Sequence, residues 1–186
     1  MVISDGAVPL LIVDGVLDGS LVRDLLAHAD REGWVASPMV RPGPDGNAVL
    51  VPDDDVKARF DHLLVDQELT ARVQRSFVDR LLPAAATAFA QPIRSHEAFK
   101  IVRYDAGAGW FTAHRDNEAP DARHRRLAVT VNLDEDFEGG HLRFPEFGTD
   151  EFRPRPGAAI VFSCSLLHEV TPVRRGSRHA LLTFLW

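Results

Sequence analysis

The chain is short of residues that carry covalent or redox chemistry on their own: one cysteine, Cys164, stands among 186 residues. A lone cysteine excludes a disulfide framework within the chain and a multi-cysteine zinc site. Long apolar runs are missing too. The stretch Val8 to Val13 is interrupted by Pro9 and stops at Asp14, far short of the roughly 20 apolar residues a membrane helix needs. The opening Met1-Val2-Ile3-Ser4-Asp5 holds no lysine or arginine, so it lacks the basic start of a secretory signal. A cytoplasmic protein with no membrane contact is expected. Positive charge is also scarce, 21 Lys and Arg against 27 Asp and Glu, for a formal net charge of −6. General binding to nucleic acid rests on neutralising phosphates, and Arg123-His124-Arg125-Arg126 is a single short basic cluster. Nucleic acid is therefore not an expected partner.

What is present reads as α+β. The length suits one domain with one core. Leu10-Leu11-Ile12-Val13 is a short buried strand. Asp18 offers a helix N-cap before Leu21, Val22, Leu25, Leu26 and Ala29 at helical spacing. Residues 36–55 carry Pro38, Pro42, Gly43, Pro44, Gly46 and Pro52, which predicts a loop with a hairpin around Asp45-Gly46. It reads equally as a lid and as a surface connection. From Asp66 to Phe89 the pattern is helical again, with Pro83 set to kink or divide it.

After Pro92 the character changes. Residues 99–104, 127–133, 141–144, 158–164 and 180–186 all read as strands, with glycines between them. Helices followed by a run of strands predict an antiparallel sandwich or jelly roll. The expected organisation is a single domain, with 1–95 as helical support carrying the candidate lid and 96–186 as a catalytic β core.

Metal-binding residue types recur inside that second part. His114-Arg115-Asp116 puts two ligating side chains on one face of an extended segment. His168 follows a clear strand and is the candidate third ligand. Two imidazoles and a carboxylate on one face of a metal leave the opposite positions open, as in non-haem iron(II) oxygenases. Taken alone, His114-Arg115-Asp116 reads as structural before it reads as catalytic. A zincin helix is excluded, because Pro172 stands four residues after His168. Gly107-Ala108-Gly109 starts like a dinucleotide fingerprint, but Thr112 occupies its last glycine position.

Several stretches in fixed order bear on the question. Arg103-Tyr104, Gly107 and Gly109 lead to His114-Arg115-Asp116-Asn117. Val131-Asn132-Leu133-Asp134 precedes Phe137-Glu138-Gly139-Gly140-His141-Leu142-Arg143-Phe144, and His168-Glu169-Val170-Thr171-Pro172-Val173 precedes Gly176-Ser177-Arg178. Over residues 99–186 the chain resembles the 2-oxoglutarate and iron(II)-dependent oxygenases, in their prolyl 4-hydroxylase-like branch. The resemblance implies a double-stranded β-helix, the cupin-like jelly roll, with the N-terminal helices packed on one sheet. It implies iron(II), 2-oxoglutarate and dioxygen as cofactor and co-substrates, with ascorbate as a reductant. The reaction implied is hydroxylation of an unactivated carbon in a prolyl-type peptide or an amino-acid-like small molecule, releasing succinate and carbon dioxide.

Carried onto this sequence, the resemblance makes His114, Asp116 and His168 the iron ligands. Arg178 becomes the partner of the distal carboxylate of 2-oxoglutarate, and a guanidinium can meet a carboxylate through two parallel hydrogen bonds. Tyr104 is implied to hydrogen-bond the co-substrate, although core packing suits it nearly as well. Asn132 stands where prolyl hydroxylases often have tyrosine, and an amide there can reach a carboxylate oxygen. Arg126, Trp110 and Phe111 are candidates for the substrate wall. Gly139-Gly140 reads as a tight turn, and Cys164 as a small buried hydrophobe. Two other readings remain, a cupin-like metal enzyme of another class and a non-catalytic metal-binding jelly roll. The first would keep the triad without needing Arg178, and the second predicts little bound metal.

Overall fold

The structure, a computed structural model, describes residues 2–3, 8–42, 48–51 and 56–186. Strand β1 (Val2–Ile3) and β2 (Leu10–Val13) precede α1 (Gly19–Glu32), then β3 (Val35–Ala36), β4 (Met39–Pro42), β5 (Ala48–Val51), β6 (Lys57–Ala58) and β7 (Phe60–Leu63). Next come α2 (Gln67–Ser76) and α3 (Leu82–Ala88), joined by one wide π-type turn, Phe77–Leu81. The remaining strands are β8 (Lys100–Asp105), β9 (Trp110–His114), β10 (Leu127–Asn132), β11 (Phe137–Gly139), β12 (Leu142–Arg143), β13 (Glu151–Phe152), β14 (Ala159–Ser163), β15 (His168–Val170) and β16 (Val173–Leu185).

α1 and α2 begin at the residues where the sequence reading starts them, and an aspartate caps each. Asp18 Oδ1 accepts from the Ser20 and Leu21 amides at 2.9 and 2.8 Å, and Asp66 Oδ1 accepts from Leu69 at 2.8 Å. Pro83 has no N–H to give and its ring crowds the preceding turn. The wide turn just before it absorbs both, and the Leu82 amide donates to Phe77.

The strands form two facing antiparallel sheets. The larger runs β1-β2-β14-β10-β16-β8-β7-β3, with β11 also on β16, and the smaller runs β13-β12-β15-β9-β6. Alternation sets what each face meets. On β10, Leu127, Val129 and Val131 join Leu181 and Leu185 of β16 against Leu21, Leu25, Val73, Leu81 and Ala85 of the helical layer. Ala128 of β10 turns the other way, toward Leu142, Phe144 and Phe162. The helices thus cover one side of the large sheet, and the small sheet covers the other.

Three strands depart from the sequence reading. β6 and β7 sit in a stretch where apolar and charged residues alternate but the charged ones, Lys57, Arg59 and Asp61, are among its partly or fully buried residues. β16 starts at Val173 rather than Ala180, since the polar run Arg174-Arg175-Gly176-Ser177 hides its first half. The predicted hairpin is present as β4 and β5, paired from Met39↔Val51 to Pro42↔Ala48. Its Asp45-Gly46 turn lies outside the described residues.

Gly139-Gly140 makes the expected turn, with φ of 75° and 63°. A Cβ on Gly139 would stand 2.1 Å from the Pro172 carbonyl oxygen. Strained φ alone costs about 1–3 kcal/mol, and this clash adds to it. Gly139→Ala should therefore lower Tm by at least about 4 °C, at roughly 2–4 °C per kcal/mol for a chain of this size, as read by thermal unfolding followed by circular dichroism.

Candidate active site

β9 and β15 lie side by side, with His168 opposite His114 and Val170 opposite Phe111. Three residues of β9 thus span two of β15, which is a β-bulge. The extra residue brings Phe111 and His114 onto one face, where plain alternation would separate them. Their rings stack at 3.5 Å and 18°. Asp116 follows just beyond the strand. One ligand atom from each of His114, Asp116 and His168 falls within 4.8 Å of the others.

The imidazoles are oriented from behind. Nδ1 of His114 lies 2.8 Å from the Thr112 carbonyl, and Nδ1 of His168 lies 3.0 Å from that of Leu166. A carbonyl only accepts, so each Nδ1 carries the hydrogen and each Nε2 presents a lone pair. Those Nε2 atoms sit 3.5 and 3.3 Å from the two Asp116 oxygens. Burial pushes the His168 pKa down and keeps the ring neutral, the form that binds metal. Burial alone would push Asp116 up, but its polar neighbours, the two imidazoles and Arg125, outweigh it and hold the carboxyl below its ordinary value. A neutral pair of imidazoles and an ionised carboxylate converging on one point form a donor set that fits iron(II) with open positions opposite.

Asp116 is also fixed through its backbone. Its amide donates to the Cys164 carbonyl at 3.0 Å, and its carbonyl accepts from Arg125 Nη1 at 3.2 Å. Arg125 is itself held by both Glu97 oxygens, at 2.6 and 3.0 Å, and packs 3.9 Å over the Phe184 ring. The basic cluster thus contributes a positioning side chain that its composition alone did not reveal. Partners behind metal ligands are typically worth about 10–100-fold in metal affinity. Arg125→Leu should weaken iron(II) binding by that amount in an anaerobic titration, and Arg125→Lys should restore part of it.

Between the sheets lies a cavity of about 450 Å³. His114, Asp116 and His168 line it together with Tyr104, Phe111, Thr130 and Arg178. Arg178 is buried, with its guanidinium 5.5 Å from the Tyr104 ring centre, and burial pulls its pKa down. No carboxylate pairs with it among the described residues. The Thr130 hydroxyl is buried without a hydrogen-bond partner among them as well. An unmatched cation and an unmatched hydroxyl on the wall beyond the triad suit an anionic ligand.

The sequence reading left out Arg59 and Lys57. Arg59 donates 3.2 Å to the Tyr104 hydroxyl and pairs with Asp61 at 2.8 Å. Burial works against its charge, but Tyr104 and Asp61 more than offset it. Lys57 donates to the Pro38 carbonyl at 2.9 Å and lies 5.4 Å over the Phe111 ring. Burial and the neighbouring Arg59 push its pKa down to about 8. The only signal either residue left in the sequence was a charged residue alternating within an otherwise strand-like stretch.

Three expected site residues are not brought to the cavity. Asn132 turns its Nδ2 to the Asp134 and Pro154 carbonyls, at 2.6 and 3.0 Å, where it ties down a loop. Trp110, one position before Phe111, is absent from the lining, as alternation along β9 requires. Arg126 is exposed and borders a small separate groove with Gln91 and Trp186. Cys164 is buried among Phe144, Phe162 and Leu142, as a small hydrophobe should be, and burial pushes its thiol pKa up. No described helix is long and apolar enough to cross a membrane.

The comparisons with known proteins agree with this geometry. The model of the family described as "2OG-Fe(II) oxygenase superfamily" matches residues 99–186. A PKHD-type hydroxylase of Phenylobacterium zucineum is 36% identical over 188 residues, covering 95% of this chain and 77% of that protein. Another, from Azoarcus, is 33% identical over 106 residues, 53% of this chain; that match spans less than half, 46%, of the relative's length. Among solved structures, a Pseudomonas putida prolyl-4-hydroxylase superposes with a TM-score of 0.69 at 22% identity, over 96% of this chain and 92% of that one. The likeness shows the double-stranded β-helix fold. The chain belongs to the 2OG-Fe(II) oxygenase superfamily, with PKHD-type hydroxylases among its relatives, and is a 2-oxoglutarate- and iron(II)-dependent hydroxylase.

Proposed function

We propose that this oxygenase hydroxylates an unactivated carbon of a prolyl-type peptide or an amino-acid-like small molecule. His114, Asp116 and His168 hold the iron, and Arg178 pairs with the distal carboxylate of 2-oxoglutarate beside Tyr104. The observation that carries the reading is Arg178: a buried guanidinium that no carboxylate among the described residues pairs with, in the cavity that also holds the triad. A charge is rarely left buried without a partner, and the co-substrate supplies one.

Bound there, iron(II) and 2-oxoglutarate supply the oxidising chemistry, with dioxygen consumed and succinate and carbon dioxide released. The chain's own residues bind, orient and exclude. The Thr112 and Leu166 carbonyls fix the imidazole planes, and Arg125 fixes the Asp116 backbone. Leu142, Phe162, Val170, Leu182 and Phe184 line the cavity with hydrocarbon and keep water from the reacting atoms. Ala128, small and on the inner face of β10, leaves room for the substrate.

The rest of the reading follows the same lines. The chain works as one domain, residues 1–95 supporting the catalytic β core of 96–186. The β4–β5 hairpin acts as a lid, because Pro38 and Val56 at its two ends line the cavity. Ascorbate serves as the reductant that restores iron(II), and the setting is the cytoplasm. The test is succinate release that requires iron(II), 2-oxoglutarate and oxygen together. Iron-loaded protein with no affinity for 2-oxoglutarate overturns the reading.

A further inference from the structure

Six basic side chains line the cavity: Lys57, Arg59, Lys100, Arg115, Arg125 and Arg178. Four have carboxylate partners. Arg59 and Lys100 share Asp61 at 2.8 and 3.8 Å, Arg115 pairs with Glu146 at 2.7 Å, and Arg125 pairs with Glu97 at 2.6 Å. Two have none among the described residues, Arg178 and Lys57. Arg178 answers to 2-oxoglutarate in the reading above, on which this inference rests. Lys57 is left over.

Its setting is that of a built subsite. The side chain is 7% exposed. An ammonium has three hydrogens to donate, and one of them goes to the Pro38 carbonyl. Lys57 stands opposite Phe111 across the β6–β9 pair, and its ammonium lies 5.4 Å from the Phe111 ring centre, which in turn lies 3.5 Å from the His114 ring centre. The ammonium is therefore within about 9 Å of a metal-site imidazole. Phe111, Leu142, Val170, Leu182 and Phe184 provide hydrocarbon in the same cavity.

We propose that Lys57 binds the carboxylate of the substrate, and that the substrate is a small free carboxylic acid with an aliphatic body, amino acids included, rather than a prolyl residue inside a peptide. An internal peptide residue offers carbonyl oxygens but no negative charge, and would leave the buried ammonium without a paired carboxylate among the described residues. A free acid neutralises Lys57, lays its hydrocarbon along Phe111 and presents an aliphatic carbon toward the triad.

The test is binding, measured without turnover. Protein loaded with manganese(II) and 2-oxoglutarate is titrated calorimetrically with straight-chain acids from propionate to octanoate, with L-proline and with L-leucine. Each acid is compared with its primary amide, and an internal prolyl peptide is included. At least one acid should bind, with its amide weaker by about tenfold or more. Lys57→Gln should lose about tenfold or more in acid affinity while binding 2-oxoglutarate as the wild type does, which also shows that it has folded. Lys57→Arg should recover most of the acid binding. Amides or the peptide binding as tightly as the acids, no acid binding at all, or Lys57→Gln binding acid as the wild type does would each overturn the proposal while leaving the oxygenase reading intact. Wild-type protein that fails to bind 2-oxoglutarate removes the Arg178 reading, and this proposal with it.

Discussion

Asp116→Ala should reduce iron-dependent succinate formation by more than about a thousandfold, a loss of about 4 kcal/mol of transition-state stabilisation. Asp116 is the one anion in the triad and the side chain that both imidazoles face, at 3.5 and 3.3 Å. Without it, two neutral nitrogens remain for a doubly charged ion. Elemental analysis after anaerobic loading should then find little iron, so the defect lies in metal binding before it lies in chemistry. Asp116→Glu separates charge from position. It keeps the carboxylate but lengthens the arm, and an error of about 1 Å in a reacting array can cost about a hundredfold. Partial iron content with poor turnover is expected of it. Full activity in Asp116→Ala would mean that the cluster of His114, Asp116 and His168 is not the metal centre.

The large features of the fold were legible because each rests on a local pattern. The Asp18 cap, the helical spacing after it and again from Asp66, and the apolar strands at 127–133 and 158–164 need no knowledge of the partners they pack against. The triad needed more. Two of its ligands are two residues apart, but the third lies more than fifty residues on, and only the pairing of β15 with β9 brings it back. The bulge that aligns Phe111 with His114 has no sequence signature at all. What stayed hidden was the charged lining. Apolar periodicity reports a strand that faces hydrocarbon, whereas Lys57 and Arg59 face a polar cavity and invert the pattern. Asn132 and Arg126 failed for the opposite reason. Each lies on or beside the strand that carries Ala128 and Thr130, but Asn132 is consumed by loop carbonyls and Arg126 is past the cavity's edge.

Arg178→Met should have opposite effects on binding and on stability, and the contrast tells a ligand-binding role from a structural one. Truncating one partner of a desolvated charge pair costs about 2–5 kcal/mol, so affinity for 2-oxoglutarate should fall by at least about thirtyfold. The unliganded protein should behave in the reverse way. Arg178 is buried, and no carboxylate pairs with it among the described residues, so the wild type bears an unmatched charge that methionine removes. Replacing buried charge by a hydrophobe of similar size stabilises by about 1–4 kcal/mol in known cases, which is at least about 2 °C in Tm here. Saturating 2-oxoglutarate at about a hundred times its Kd adds roughly 2.7 kcal/mol to the wild type and much less to the variant. Adding 2-oxoglutarate to metal-loaded, anaerobic protein should therefore raise the wild-type Tm more than the variant's, and reverse their order wherever the charge penalty is below about 2 kcal/mol. A variant that melts lower in both conditions would make Arg178 a structural residue. One that gains as much from 2-oxoglutarate as the wild type would remove it from the co-substrate site.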